Sequence, residues 1–332
     1  MKIIKILFII FCFFLTTPSH SNEQSFDEWL KTFKKLALKK NISEKTFDKT
    51  MSNVVFLPNV IKYDRYQPEF YEDTNTYISK RTSEKKVRIG TKLYNKNKTF
   101  IDSIDKIFSV EKSLLLSLMG IETNFGSYVG KMDILSSLAT LSYDQRRRDF
   151  FTSELITILQ LVEKGVIDHS ILFGSWAGAF GNFQFMPSTI KKYAIDYDKN
   201  NVIELKSTKD SFASAANYIN KIGWVKDQPC FIEVSLKKNT PKIYLNTSAK
   251  KLNNKKKFKK LKKYINSNNY QDIDENLVAA IITPDKDIIP DSENLKPAYI
   301  VFENYEKILQ WNRSLRFGLA VCTLKNKFKD AL

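Results

Sequence analysis

Apolar residues recur at three-and-four spacing through most of the first two thirds of the chain. This rhythm predicts helices over 27–40, 83–93, 99–108, 111–124, 146–164 and 210–222. Glycine or proline closes several of these stretches, as at Gly165, Pro187 and Gly223. The texture changes after Trp224. Residues 231–236 alternate apolar and polar positions as a half-buried strand does, and 242–245 and 298–302 are two further strand candidates. The lysine- and asparagine-rich stretch 250–269 reads as a helix or a mobile surface insertion, and 303–324 returns to the helical rhythm. The pattern predicts a mainly α chain of α+β class. Its parts are an N-terminal helical region at 22–110, a helical core at 111–224, a small mixed β and lysine-rich insertion at 225–300, and a C-terminal helix at 301–332 that rejoins the core.

The first residues form a different pattern. Lys2 and Lys5 precede an apolar run to Leu15, and Ser19 and Ser21 stand as small residues before a cleavage site, so 1–21 reads as a secretory signal peptide. The run is short for a membrane span, which needs about 20 apolar residues. Cys12 lacks the small residue that precedes a lipid-modified cysteine, so a periplasmic, soluble product is expected. Outside the leader only Cys230 and Cys322 remain. Export permits a disulfide between them, but their spacing is uninformative and the sequence does not favour one. The only histidines are His20 and His169, so no zinc cluster is indicated, and His169 reads as a surface residue.

The formal net charge is +17, of which the leader lysines contribute two. A basic exported protein meets anionic envelope polymers and membrane surfaces first. Lysine runs such as 255–263 come without any nucleic-acid reading motif, so nucleic acid is not an expected partner.

Two stretches carry candidate chemistry. Between Lys112 and Lys131, Glu122 is the only carboxylate in an apolar helix, flanked by Gly120 and Gly126. Desolvation favours the protonated form of such a group, which suits a general acid, while a core glutamate satisfied by a hydrogen bond is the structural alternative. The second stretch, Gly174-Ser-Trp-Ala-Gly-Ala-Phe-Gly-Asn-Phe-Gln-Phe-Met-Pro-Ser188, makes a poor helix. Its aromatic and amide groups suit the wall of a sugar-binding cleft, and a tight structural loop is the alternative.

Together the two stretches resemble the lytic murein transglycosylase B family. The resemblance extends to Gln67-Pro-Glu69, Leu138 to Asp144, Arg146 to Phe151, Ser214 to Ile219 and Asn304 to Ser314. It implies a lysozyme-like helical core and a monomeric enzyme acting on peptidoglycan glycan strands. Such an enzyme cleaves between N-acetylmuramic acid and N-acetylglucosamine without water, leaving 1,6-anhydro ends. Glu122 matches the single catalytic acid, which then serves as base. No cofactor is required by the family pattern. Most glycosidases use two carboxylates about 5 to 9.5 Å apart, and Asp133, Asp144 and Glu154 are present as possible partners. A hydrolytic muramidase and a non-catalytic wall-binding scaffold remain the alternatives.

The resemblance also implies that Ser175 lies near the reacting sugar and that Gln184 and Phe185 are cleft contacts. It implies that Arg147 meets a peptide or lactyl carboxylate, that Tyr218 and Asn312 line the cleft opposite the acid, and that Tyr77 lies at its edge. Phe150, Trp311 and Phe317 stand where family members can carry tyrosine, so stacking is kept and any phenol hydrogen bond is expected to be lost. Finally, Asp196, Asp198 and Asn200, with the carbonyl of Val202, follow the first half of an EF-hand loop, here 196–210. Asn201 replaces the usual glycine, and Asp210 is placed as the last ligand of a longer loop, so a structural calcium ion of weak affinity is compatible with it. The alternative is an acidic turn with Asp210 as helix N-cap.

Overall fold

Serine and aspartate side chains start the N-terminal helices. Ser25 closes a capping box with Glu28 on α1 (Phe26–Lys39), and Ser43 caps α2 (Glu44–Met51). α3 (Pro58–Arg65) follows, and Asp73 caps α4 (Thr74–Arg81). Next come α5 (Glu84–Lys96), α6 (Lys98–Phe108) and α7 (Lys112–Thr123). The computed structural model describes residues 24–66, 72–266, 270, 272–286 and 295–332. The leader expected at 1–21 and the Gln67-Pro-Glu69 motif lie outside these residues.

The middle of the chain adds β1 (Met132–Asp133), α8 (Ile134–Tyr143), α9 (Arg148–Glu163), β2 (Phe173–Gly174), α10 (Pro187–Tyr193) and α11 (Thr208–Lys221). A small mixed unit follows: β3 (Phe231–Val234), β4 (Leu245–Asn246), β5 (Lys256–Lys257), α12 (Phe258–Leu261), β6 (Val278–Ile282) and β7 (Ala298–Phe302). Its sheet runs β3-β7-β6-β4, with β5 also on β6, and is antiparallel except for the β4–β6 pair. α13 (Glu303–Trp311) and α14 (Leu315–Ala331) complete the chain. The mainly helical architecture, with small sheets, is the one the sequence predicts.

α7 sits at the centre. Residues 113–120 are buried on every face, and Leu114, Leu115, Leu116 and Leu118 are wholly inaccessible. Each such leucine contributes about 1.5–3 kcal/mol of hydrophobic stabilisation, so the helix cannot slide or rotate without exposing several. α14 packs along it and also against α4 and α5. Gly120 is needed in this packing, because the Phe125 ring lies 2.8 Å from where a Cβ would stand.

Several sequence-based expectations are corrected. α8 is missed because 134–142 are buried on all faces, which erases the three-and-four rhythm. α2, α3, α4 and α10 are eight residues or fewer, too short to show a period. β6 shows no alternation in the sequence, since its Ala-Ala-Ile-Ile run is buried on both faces. The strand expected at 242–245 starts only at Leu245, as β4, because Lys242–Tyr244 form a tight helical turn after Pro241. The expected single helix at the C-terminus is two, broken where Asn312 turns extended and Ser314 caps α14. The lysine-rich stretch, as far as residue 266, is folded onto the small sheet, with Phe258 and Leu261 fully buried between the lysines.

Cys230 and Cys322 are joined in a disulfide, their Cα atoms 6.1 Å apart. The bond ties the start of β3 to α14 across 92 residues of sequence. Loop closure of that length corresponds to about 4–5 kcal/mol in the chain-entropy view, and removal of native bridges typically costs 2–5 kcal/mol. The double variant Cys230→Ser/Cys322→Ser is therefore expected to unfold with about 2–5 kcal/mol less free energy in urea. A change below 0.5 kcal/mol would contradict the clamp.

Candidate functional site

Glu122 occupies the last turn of α7, and there the burial of the helix ends. The chain leaves the helix through three consecutive left-handed residues, Asn124, Phe125 and Gly126, with φ of 47°, 58° and 83°. Thr123 fixes this turn. Its hydroxyl donates to the carbonyl of Asn182 at 2.8 Å and accepts from the Gly126 amide at 3.0 Å. Lys86 donates to the Gly120 carbonyl at 2.6 Å, a cation at the helix C-terminus. Partial burial, with Arg81 nearby, lowers the pKa of that lysine.

Glu122 is half-buried and lines a cavity of ≈ 440 Å³ together with Lys80, Lys86, Asn124 and Tyr128. The partial exposure of Glu122 departs from that of a fully buried core glutamate. Its Oε1 accepts a 2.9 Å hydrogen bond from the indole Nε1 of Trp311, 189 residues away in sequence. No phenol stands at position 311, and the tryptophan brings a donor of its own, the indole N–H.

Trp311 is the end of an aromatic column. It stacks on Tyr218 at 4.9 Å and 19°, and Tyr218 stacks on Tyr193 at 4.3 Å and 18°. Phe185 meets both Trp311 and Tyr218 edge-on. The Tyr218 hydroxyl donates to the Gln310 carbonyl at 3.0 Å, and burial, with Tyr193 beside it, pushes its pKa up to about 12, so it stays a neutral phenol in physiological conditions. Glu122, Trp311, Phe185 and Tyr218 thus form one cluster, and the half-buried Asn312 follows Trp311 in the chain. Phe185 is 2 % exposed and acts as the backing wall of this cluster.

The glycine-rich stretch forms tight loops around the site. Ser175 closes one of them, its Oγ accepting from the Ala179 amide at 3.1 Å. Gln184 has φ of 49° and its amide NH2 donates to Val129 and Gly181 carbonyls. Asn182 is a junction that sequence reading missed. Beyond the Thr123 bond to its carbonyl, its amide reaches the Lys206 carbonyl and the Ser211 hydroxyl at the start of α11.

Two other expected residues are engaged with protein partners. Arg147 is paired with Asp64, which also binds Arg146, and its guanidinium lies over the Phe151 ring at 4.7 Å. Burial lowers its pKa. Tyr77 is 3 % exposed beneath the Arg81 guanidinium, on the helix that delivers Lys80 to the cavity. Phe317 is buried in the core, and Phe150 is exposed.

The profile of the transglycosylase SLT domain family matches residues 25–326. The chain belongs to that family. Over 151 residues it is 36 % identical to membrane-bound lytic murein transglycosylase B of Escherichia coli (strain K12), an alignment covering 45 % of this chain and 42 % of that relative. The chain thus matches less than half the length of this curated relative. Among solved structures it resembles SltB3 from Pseudomonas aeruginosa in complex with NAG-anhNAM-pentapeptide, with a TM-score of 0.81 and 30 % identity over 92 % of this chain and 80 % of that one. The Escherichia coli lytic transglycosylase Slt35 in complex with calcium shares the fold at a TM-score of 0.73 and 24 % identity, over 91 % of this chain and 93 % of that one. The lysozyme-like architecture follows from these likenesses.

In this transglycosylase-family chain the EF-hand-like loop brings Asp196, Asp198 and Asp210 together, with one oxygen of each within 4.8 Å of the others. Asp196 accepts from the amides of Asn200 and Asn201, and the Asn200 side chain accepts from the Val202 amide. Asn201 takes the left-handed conformation expected of the position where glycine is usual, with φ of 72°. The reading of Asp210 as an N-cap is corrected. Ser207 caps α11, and the buried Asp210 instead accepts from the amides of Tyr197 and Glu204, bracing the loop. Lys209 lies 3.8 Å from Asp198.

The indole bond gives a direct test. A hydrogen bond donated to a carboxylate favours its ionised form, so removing the donor makes the acid harder to ionise. Trp311→Phe keeps a stacking ring and removes the N–H. Because Glu122 must be protonated to act first as acid, the basic limb of the pH–activity profile is expected to move to higher pH. A profile superimposable on wild type would show that the bond has no bearing on Glu122.

Proposed function

We propose that the protein is a lytic transglycosylase that cleaves the β-1,4 bond between N-acetylmuramic acid and N-acetylglucosamine in peptidoglycan, leaving 1,6-anhydro ends. The observation that carries this reading is Glu122, a half-exposed acid in a cavity, with one carboxylate oxygen held by an indole and an aromatic column behind it. In this mechanism Glu122 protonates the glycosidic oxygen. As a carboxylate it then takes the proton from the C6 hydroxyl of the muramoyl residue, which attacks the anomeric carbon. The substrate's acetamido group stabilises the intermediate between the two steps. The indole N–H supports the charged state that the second step requires.

The other carboxylates considered as partners have structural bonds. Asp133 caps α8, Asp144 pairs with Arg65, and the buried Glu154 accepts from the amide and hydroxyl of Ser188. This supports a one-acid mechanism. Ser175, Gln184, Arg147, Asn312 and Tyr77 are proposed to shape the glycan cleft in addition to Tyr218 and Phe185. Glycan strands of the wall in the periplasm are the proposed substrate and setting. No described helix is long and apolar enough to cross a membrane.

Purified peptidoglycan digested with wild type is expected to yield ends one water lighter than hydrolytic products by mass spectrometry. Glu122→Gln should lose at least 10³-fold activity, as general acid–base groups contribute roughly 10²–10⁴-fold. Hydrated ends would make the protein a muramidase, and retained activity in the variant would remove Glu122 from the chemistry.

Calcium is proposed as a structural ion of loop 196–210. Ligands on opposite sides of a calcium ion stand about 5 Å apart, since each bond is about 2.3–2.6 Å, and the three aspartates fit that span. Asp196, Asp198 and Asp210 would hold it, with the Asn200 side chain and the Val202 carbonyl on the same loop. Saturating calcium is expected to raise the thermal midpoint over a chelated sample, by linkage worth about 2.7 kcal/mol at a hundredfold excess over Kd. Asp198→Asn, at the most exposed ligand, should remove the increment. No calcium-dependent shift in wild type would reject the site.

A further inference from the structure

A second cavity of ≈ 520 Å³ adjoins the aromatic column on the side away from Glu122. This is within the usual range for ligand pockets, about 300–1,000 Å³. Tyr193 and Tyr218 form one wall, and Gln310 with the buried Leu252 continues it. Five cations line it: Lys250, Lys251, Lys255, Lys307 and Arg313, with Glu306 as the one acid.

Glu306 is committed to Lys255 at 2.9 Å. Among the described residues the other four cations make no ion pair. Lysines elsewhere such as Lys34, Lys80, Lys112, Lys226 and Lys262 each meet a carboxylate at 2.5–2.8 Å; what sets these four apart from other unpaired lysines is that they share one concave wall. Like charges left unpaired around a concave wall repel one another and focus a positive potential into it. An anion in the cavity removes that cost.

The lysines are displayed by a built loop. Asn246, 6 % exposed, accepts from the Asn253 amide at 2.7 Å and donates to the Asn253 carbonyl at 3.2 Å. Asn254 donates to the Ile243 carbonyl at 2.6 Å. Lys250, Lys251 and Lys255 are therefore held on a loop pinned at both sides of Leu252.

Tyr218 belongs to both sites. One face stacks on Trp311, whose indole holds Glu122, and its ring also lines the basic cavity. Resting on the glycan-strand reading above, we propose that this cavity binds the carboxylates of the peptide stems carried by the strand. A glycan backbone lying along Glu122 and Tyr218 would place a stem beside the cavity. Arg313 offers a bidentate fork for a carboxylate, and the lysines act as point charges. Continuity with the catalytic column favours a group on the substrate itself over a separate phosphate polymer.

The test is binding to Glu122→Gln, with and without Lys250→Glu/Lys251→Glu, followed by the fluorescence of the stacked Trp311 and checked for folding by thermal melts. The probes are a disaccharide-pentapeptide, the same fragment with its carboxylates amidated, a peptide-free glycan, the free acidic pentapeptide and inorganic polyphosphate. The acidic fragment should bind at least tenfold tighter than its amide, and the double charge reversal should erase that difference while changing peptide-free glycan binding less than twofold. Equal binding of the acidic and amidated fragments would overturn the proposal. Tight polyphosphate binding with no such preference would do so as well, and would reassign the cavity to phosphate. Failure to bind peptide-free glycan, with a preference for the free acidic pentapeptide over its amide retained, would instead count against the glycan reading and uphold the carboxylate pocket.

Discussion

The geometry of the site depends on one constraint: α7 is buried on all sides until its final turn. A helix with one buried stripe could rotate or slip by a residue at modest cost. One packed all round by leucines cannot, because every face is already committed. The first carboxylate along it that meets a cavity is Glu122, and its height is set by the core. α14 supplies much of that packing, so residues at the far end of the chain govern the position of an acid near its middle.

Around that fixed point the sequence divides its polar groups by function. Thr123, Asn182 and Ser211 link the Glu122 turn to the start of α11, and Asp210 braces the acidic loop just before that helix. The acid and the EF-hand-like loop are therefore joined through a short chain of hydrogen bonds. The carboxylates that could have competed with Glu122 are tied into helix starts and ion pairs. Glu122 lines a cavity while one of its oxygens accepts from a neutral donor.

Much of this was legible from residue order. The lone acid, the glycine-rich wall and the acidic loop each stand out locally, because short-range spacing encodes them. The helices that escaped notice are either very short or buried all round, as α8 is, and a period needs an exposed face to be seen. The contact between Glu122 and Trp311 has no local signature. Position 311 stands out only as a change of aromatic type, which says nothing of the indole N–H that donates in place of a phenol. Arg147 presents the converse case: an arginine suited to a substrate carboxylate is found holding Asp64.

The bridge between Cys230 and Cys322 links the small mixed unit to the helix that packs against α7. Such a bond forms where thiols are oxidised and is absent in a reducing cytosol. The clamp on the helix behind Glu122 is therefore conditional on compartment. In a reducing compartment the helix behind Glu122 would keep its packing but lose its covalent tie to the sheet.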